Sequence, residues 1–207
     1  MRTGLAVGAV LVLAGCISVG VGGDVPRQVQ YRLHDDGVAM SRRAEPLVPA
    51  LLIQALPADA LADTLSMAFS PRADEFALYQ LASWTERPVR QLPRLLQQRL
   101  QARGVAATVG MIGDPLRADW LLTIGVDTLH HDISVAPGQA RLALTAELFD
   151  RRDRRRVARR NFEAAVPTAS ADSAAAAAAM SRAVAQSFDA LVPWLESELT
   201  AAATKVP

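Results

Sequence analysis

Cys16 is the only cysteine in the chain and its one strong nucleophile. It stands directly after Leu13-Ala14-Gly15. Arg2 supplies a positive n-region, Leu5 to Ala14 an apolar h-region, and the small residues before the cysteine suit a signal-peptidase site. About ten apolar residues are too few to span a bilayer core of roughly 30 Å, which needs about 20. The segment therefore reads as a cleaved signal. A second cluster, His130-His131-Asp132, holds two of the three histidines. Neighbours on a strand point to opposite faces, so these two cannot easily ligate one metal, and the cluster reads as a surface loop end. No serine sits in a Gly-x-Ser-x-Gly elbow, and no Cys–His pair or convincing carboxylate pair is placed for catalysis. No catalytic residue, metal site or cofactor is expected.

Leu13-Ala14-Gly15-Cys16 resembles the lipobox of bacterial lipoproteins. That resemblance implies a diacylglycerol on the Cys16 thiol, cleavage before Cys16 and acylation of the new amine. One acyl chain binds a membrane only marginally, whereas three hold well beyond reversible binding. Ile17, rather than Asp, follows the cysteine. In the enterobacterial sorting pattern this resembles, that directs a lipoprotein to the periplasmic face of the outer membrane. No second cysteine exists to form an intrachain disulfide in that oxidising compartment.

The strongest charge run is Arg151, Arg152, Arg154, Arg155, Arg156, Arg159 and Arg160, broken by Asp153. It is either a solvated hairpin rim or, at Arg151, Arg152, Arg154, Arg155 and Arg156, a contact for anionic lipid head groups or an acidic partner. Charged residues make up 21% of the chain, yet the formal net charge is only +1, so no global basic field argues for nucleic acid.

The elements that position these groups follow from periodicity. Residues 1–15 read as the signal and 16–26 as a lipidated, glycine-rich tether. One domain is expected over 27–200, then a disordered tail over 201–207. Strands are expected at 29–33, 47–56, 64–70 and 76–79, the last two as a hairpin around Pro71 to Asp74. Trp84 to Pro88 opens a helix with Val89, Leu92, Leu96 and Leu100 on one face, and Gly104 ends it. A short strand over 105–111 precedes three that form an antiparallel meander. They are carried by Trp120, Leu122, Ile124 and Val126, then by Leu142 to Leu148, then by 157–166 around Phe162. Ser170 to Leu199 is a long helix with Met180, Val184, Phe188, Leu191 and Leu195 at helical spacing. The expected fold is α/β of the α+β kind: a mainly antiparallel mixed sheet with both helices on one face, in two layers. Phe69, Phe76, Tyr79 and Trp84 exceed what a short hairpin can bury. They are either core or a contact surface for a partner or another copy.

With these residues placed, the chain resembles the ABC-type transport auxiliary lipoproteins, the PqiC-like group that accompanies MCE-type lipid transport systems. The resemblance rests on the lipobox through Cys16, on Tyr31-Arg32-Leu33, and on Phe76 to Tyr79 leading into Trp84 to Pro88. It continues through Leu92 to Leu100, Asp119 to Ile124, Arg160-Asn161-Phe162 and the alanine-rich last helix to Trp194-Leu195. It implies a non-catalytic outer-membrane or periplasmic part of a phospholipid or hydrophobic-compound path. The implied partners are MCE-domain and ABC transporter components, with phospholipid or a second copy of the chain as further candidates.

Overall fold

The computed structural model describes residues 27–37, 41–57 and 59–204; the expected signal, Cys16 and nearly all of the tether lie outside them. The strands are β1 (Val29–Tyr31), β2 (Val48–Ala55), β3 (Ser66–Arg72), β4 (Glu75–Trp84), β5 (Ala106–Met111), β6 (Trp120–Asp132), β7 (Gln139–Asp150) and β8 (Arg155–Pro167). The helices are α1 (Pro88–Arg103) and α2 (Ser173–Ala203). All eight strands join in one sheet.

β6 is the spine. Its first half pairs in parallel with β2, from Leu51↔Trp120 to Ala55↔Ile124, and its far end pairs in parallel with β3 at Phe69↔His131. Two short strands thus share one flank of a single long strand. The other flank runs antiparallel to β7 from Trp120↔Asp150 to Asp132↔Gln139, and β8 continues the meander. β5 lies outside β2, and β4 then β1 lie outside β3. The long ladders are antiparallel, and the parallel pairings are short.

Both helices cover one face. α1 packs on β2 and β5, α2 on β7 and β8, and the two helices touch. Leu92, Leu96 and Leu100 of α1 are fully buried, as are Val184, Phe188, Leu191 and Leu195 of α2, against Leu51, Ile53, Leu122 and Leu144 of the sheet. Pro88 starts α1, where a missing N–H costs nothing, and Gly104 ends it at φ 75°, its N–H bonded to the Leu100 carbonyl at 3.0 Å. Asp172 caps α2 by accepting from the Ala175 N–H at 2.9 Å. The helix continues to Ala203, so part of the expected 201–207 tail is helical.

Three expectations change. β4 runs on to Trp84, so Trp84 ends a strand rather than leading into the helix, and it is 2% exposed. The first strand ends at Tyr31, short of the expected 29–33, and Leu33 beyond it is buried in the core. The third concerns β6. A register shift between Val126 and Thr128 inserts Asp127 as an extra residue. Before it, Trp120, Leu122, Ile124 and Val126 face the helices; after it, Leu129 and His131 do. The bulge moves the odd-numbered residues inward, and the histidine pair follows.

Candidate functional site

His130-His131-Asp132 is not a loop end: it closes β6, and His131 is wholly buried. Tyr79, from β4, donates its O–H to His131 Nδ1 at 2.7 Å. Thr168 spends its hydroxyl proton on the Pro137 carbonyl at 3.1 Å, so His131 Nε2–H donates to Thr168 Oγ1 at 3.2 Å. A neutral imidazole satisfies every partner in this chain. Gly138 closes beside it at φ 108°, and a Cβ there would come within 2.6 Å of His131 Nε2. Glycine is required at that turn by both conformation and space.

Burial sets the electrostatics. It pushes the Tyr79 phenol up to about 12, with the Asp172 carboxylate adding to the effect. It pushes His131 below its ordinary value, against the pull of Asp172 and Asp132 and with help from His130. His130 is lowered as well, again by burial first. The Asp132 carboxyl lies far below the usual range, chiefly through its bond from the Ser134 hydroxyl, with Arg141 and Gln139 also donating. A histidine lowered in the fold leaves stability whole above its ordinary value near 6.5. Stability then falls as the pH drops below that value, because only the unfolded chain takes the proton. The melting temperature is therefore expected to fall as the pH goes from about 7.5 to about 5, above the range where Asp132 titrates. His131→Gln should flatten that fall, with the slope that persists belonging to His130. An unchanged slope in His131→Gln would refute the assignment.

The four aromatics considered as a contact surface divide. Trp84 belongs to the core, so it is removed from that surface. Phe69 stacks at a tilt on Tyr79, ring centroids 4.8 Å apart, beside the His131 chain. Phe76 points the other way and is 51% exposed, its ring edge-on to His130 at 5.1 Å. Leu78 and Leu81 of the same strand are about half exposed. β1 reaches β4 only at Ala82, so β4 from Glu75 to Leu81 has β3 on one side and no strand on the other among the described residues.

The arginine run forms the β7–β8 turn, as its charge pattern suggested, but most of it is engaged. Arg151 donates its backbone N–H to the Asp119 carbonyl and its guanidinium to the Ala118 carbonyl, both at 2.8 Å. Arg152 bonds Asp150 at 2.6 and 3.1 Å and lies over the Trp120 ring. Arg156 pairs with Glu147 at 2.8 Å. Arg154, at φ 53°, and Arg155 have no side-chain partner among the described residues. Beside the turn lies an open cleft of about 600 Å³, lined by Arg117, Arg151, Arg152 and Arg154, by Asp119 and Asp150, and by Leu121 and Phe149. Sequence reading had no route to Arg117, which stands alone in its loop. Among the described residues no group of three or more His, Cys, Asp or Glu is placed to hold a metal, and no helix is long and apolar enough to cross a membrane.

A family model described as the ABC-type transport auxiliary lipoprotein component matches residues 31–192. A crystal structure of a protein from Xanthomonas campestris matches at a TM-score of 0.76 and 26% identity, over 86% of this chain and 100% of that one. A second solved structure, of an uncharacterized protein, matches at 0.60 and 11% identity over 81% and 99%, which shows the shared fold alone. No curated protein matches the sequence. The family match runs from the end of β1 into α2 and takes in β2 to β8, α1, the Tyr79–His131 chain and the arginine turn. The chain belongs to the ABC-type transport auxiliary lipoproteins.

Proposed function

We propose that this protein is the outer-membrane-anchored, periplasmic auxiliary lipoprotein of an ABC/MCE-type system that moves phospholipid or another hydrophobic compound between membranes. It acts by binding or docking, without catalysis. Lipid on Cys16 holds it to the membrane, and its partners are the MCE-domain and ABC transporter components or a further copy of itself. The observation that supports docking is the open edge of β4. Phe76, Leu78 and Leu81 are exposed there to 51%, 48% and 50%, beside a helix-covered core whose large side chains are fully buried. An exposed apolar strand edge invites unwanted pairing unless something covers it. The same edge would serve a structural envelope lipoprotein that docks an assembly without handling substrate; the identity of the captured partner separates the two readings.

Phe76→Asp and Leu78→Asp test it. Both side chains are half in solvent, so stability should change by no more than about 1 kcal/mol. Co-purification with the MCE component, or the assembly state of the chain, should be lost. Folded variants that keep both would remove the docking surface from β4.

A further inference from the structure

The cleft at the start of β6 has chemistry that docking at β4 does not use. Of the arginines around it, Arg151 is occupied by the Ala118 carbonyl and Arg152 by Asp150. Arg117 and Arg154 are exposed and make no ion pair or hydrogen bond with the described residues. Both residues line the same cleft. Its lining residues include four arginines against Asp119 and Asp150, and the second of these is held by Arg152. The cleft therefore keeps an excess of positive charge. Its volume falls within the roughly 300–1,000 Å³ of small-molecule sites.

The floor differs from the rim. Leu121 and Phe149 are register partners on β6 and β7. Their neighbours Trp120, Leu122 and Leu148 belong to the core under the helices, so this pair faces outward. Both are half-buried, and they add an apolar part to the lining of the cleft. Guanidinium forks suit the paired oxygens of a phosphate, and an apolar floor gives a free inorganic ion nothing.

We propose that this cleft binds the phosphate of an anionic amphiphile, with Arg117 and Arg154 as phosphate ligands and Leu121 and Phe149 under the start of its apolar portion. The inference rests on the transport role only in naming the class of compound that role leaves open. It does not involve β4, so the β4 pull-down and the test below can fail separately.

The test is calorimetric titration of the purified full chain in a neutral detergent, with a micelle-only titration subtracted. Dihexanoyl phosphatidylglycerol and inorganic phosphate are the probes. The lipid should bind saturably, one per chain, and phosphate at least about ten-fold more weakly. Arg117→Ala with Arg154→Ala should weaken lipid binding at least about ten-fold, the loss of two charge-assisted contacts. Arg155→Ala, in the same turn but outside the cleft, should change it less than about two-fold. Asp119→Asn should strengthen it by removing a carboxylate from the lining. Phe149→Ala should erase the advantage of lipid over phosphate; because Phe149 is half-buried, its melting temperature is read alongside, and Leu121→Asn provides the same readout at the partner position. Absence of saturable binding overturns the proposal. So does phosphate binding as tight as the lipid, which marks a free-anion site, or an Arg155→Ala loss as large as that of Arg117→Ala with Arg154→Ala, which marks diffuse surface charge.

Discussion

Arg99→Ala is expected to destabilise the domain by about 3–5 kcal/mol, the usual cost of removing one member of a buried ion pair. The Arg99 side chain is 8% exposed and that of Asp35 is 11%. Arg99 Nε donates to Asp35 Oδ2 at 2.6 Å, and Nη2 bonds the other oxygen of the same carboxylate. Nη1 bonds Asp189 and lies 3.4 Å from the Ala185 carbonyl, while the guanidinium stands 5.7 Å from the Phe188 ring centroid. One side chain of α1 thus ties the segment after β1 to α2. Gly37 makes room for it, since a Cβ there would overlap the guanidinium. Without Arg99 the Asp35 carboxylate keeps, among the described residues, the Gly37 N–H at 3.1 Å, and most of the penalty is that stranded charge. Urea denaturation of Arg99→Ala and of Arg99→Met combined with Asp35→Leu separates the terms. The double variant should be distinctly more stable than the single one, because a hydrophobic pair strands nothing. Equal losses would mean that packing, not charge, holds the clasp.

The parts of this fold that could be read from sequence are those set by local periodicity. Leu92, Leu96, Val184 and Phe188 recur at helical spacing and all are fully buried. Trp120 to Val126 and Leu142 to Leu148 alternate and form the expected meander. Long-range pairing lay out of reach. Nothing local says that β2 and β3 share one flank of β6, or that Arg99 meets a carboxylate 64 positions away. The bulge at Asp127 was the costliest omission, since one inserted residue reverses which histidine is buried. Trp84 shows the same limit from the other side: beside Thr85-Glu86-Arg87-Pro88 it looked like a helix entry, yet tertiary packing extended β4 through it. The arginine turn was legible as a turn, but its division into engaged and free guanidinium groups depends on Ala118, Asp150 and Glu147, which only the fold brings near.

Cys16→Ser is expected to leave the chain unprocessed and to abolish labelling by radiolabelled fatty acid. Cys16 lies outside the described residues, so the expectation rests on the lipobox-like Leu13-Ala14-Gly15-Cys16 and the apolar run before it. Geometry adds a separation of effects. The described chain begins at Arg27, and β1 joins the sheet at Val29↔Ala82, which lies at the far end of β6 from Trp120. About ten residues after Cys16 reach no more than about 35 Å. Trp120 to Leu129, the level at which β1 enters, spans about 30 Å of strand. Lipid on Cys16 would then keep the body near the bilayer, with the arginine cleft at the end remote from the point of entry. Anchorage and the cleft should then be separable. Cys16→Ser should remove the acyl chains while the melting temperature and the titration with short-chain lipid stay as they were, since among the described residues the buried core begins at Leu33. Normal fatty-acid labelling of Cys16→Ser would refute the lipoprotein anchor itself. A loss of lipid binding in the correctly folded variant would show that anchor and cleft act as one device.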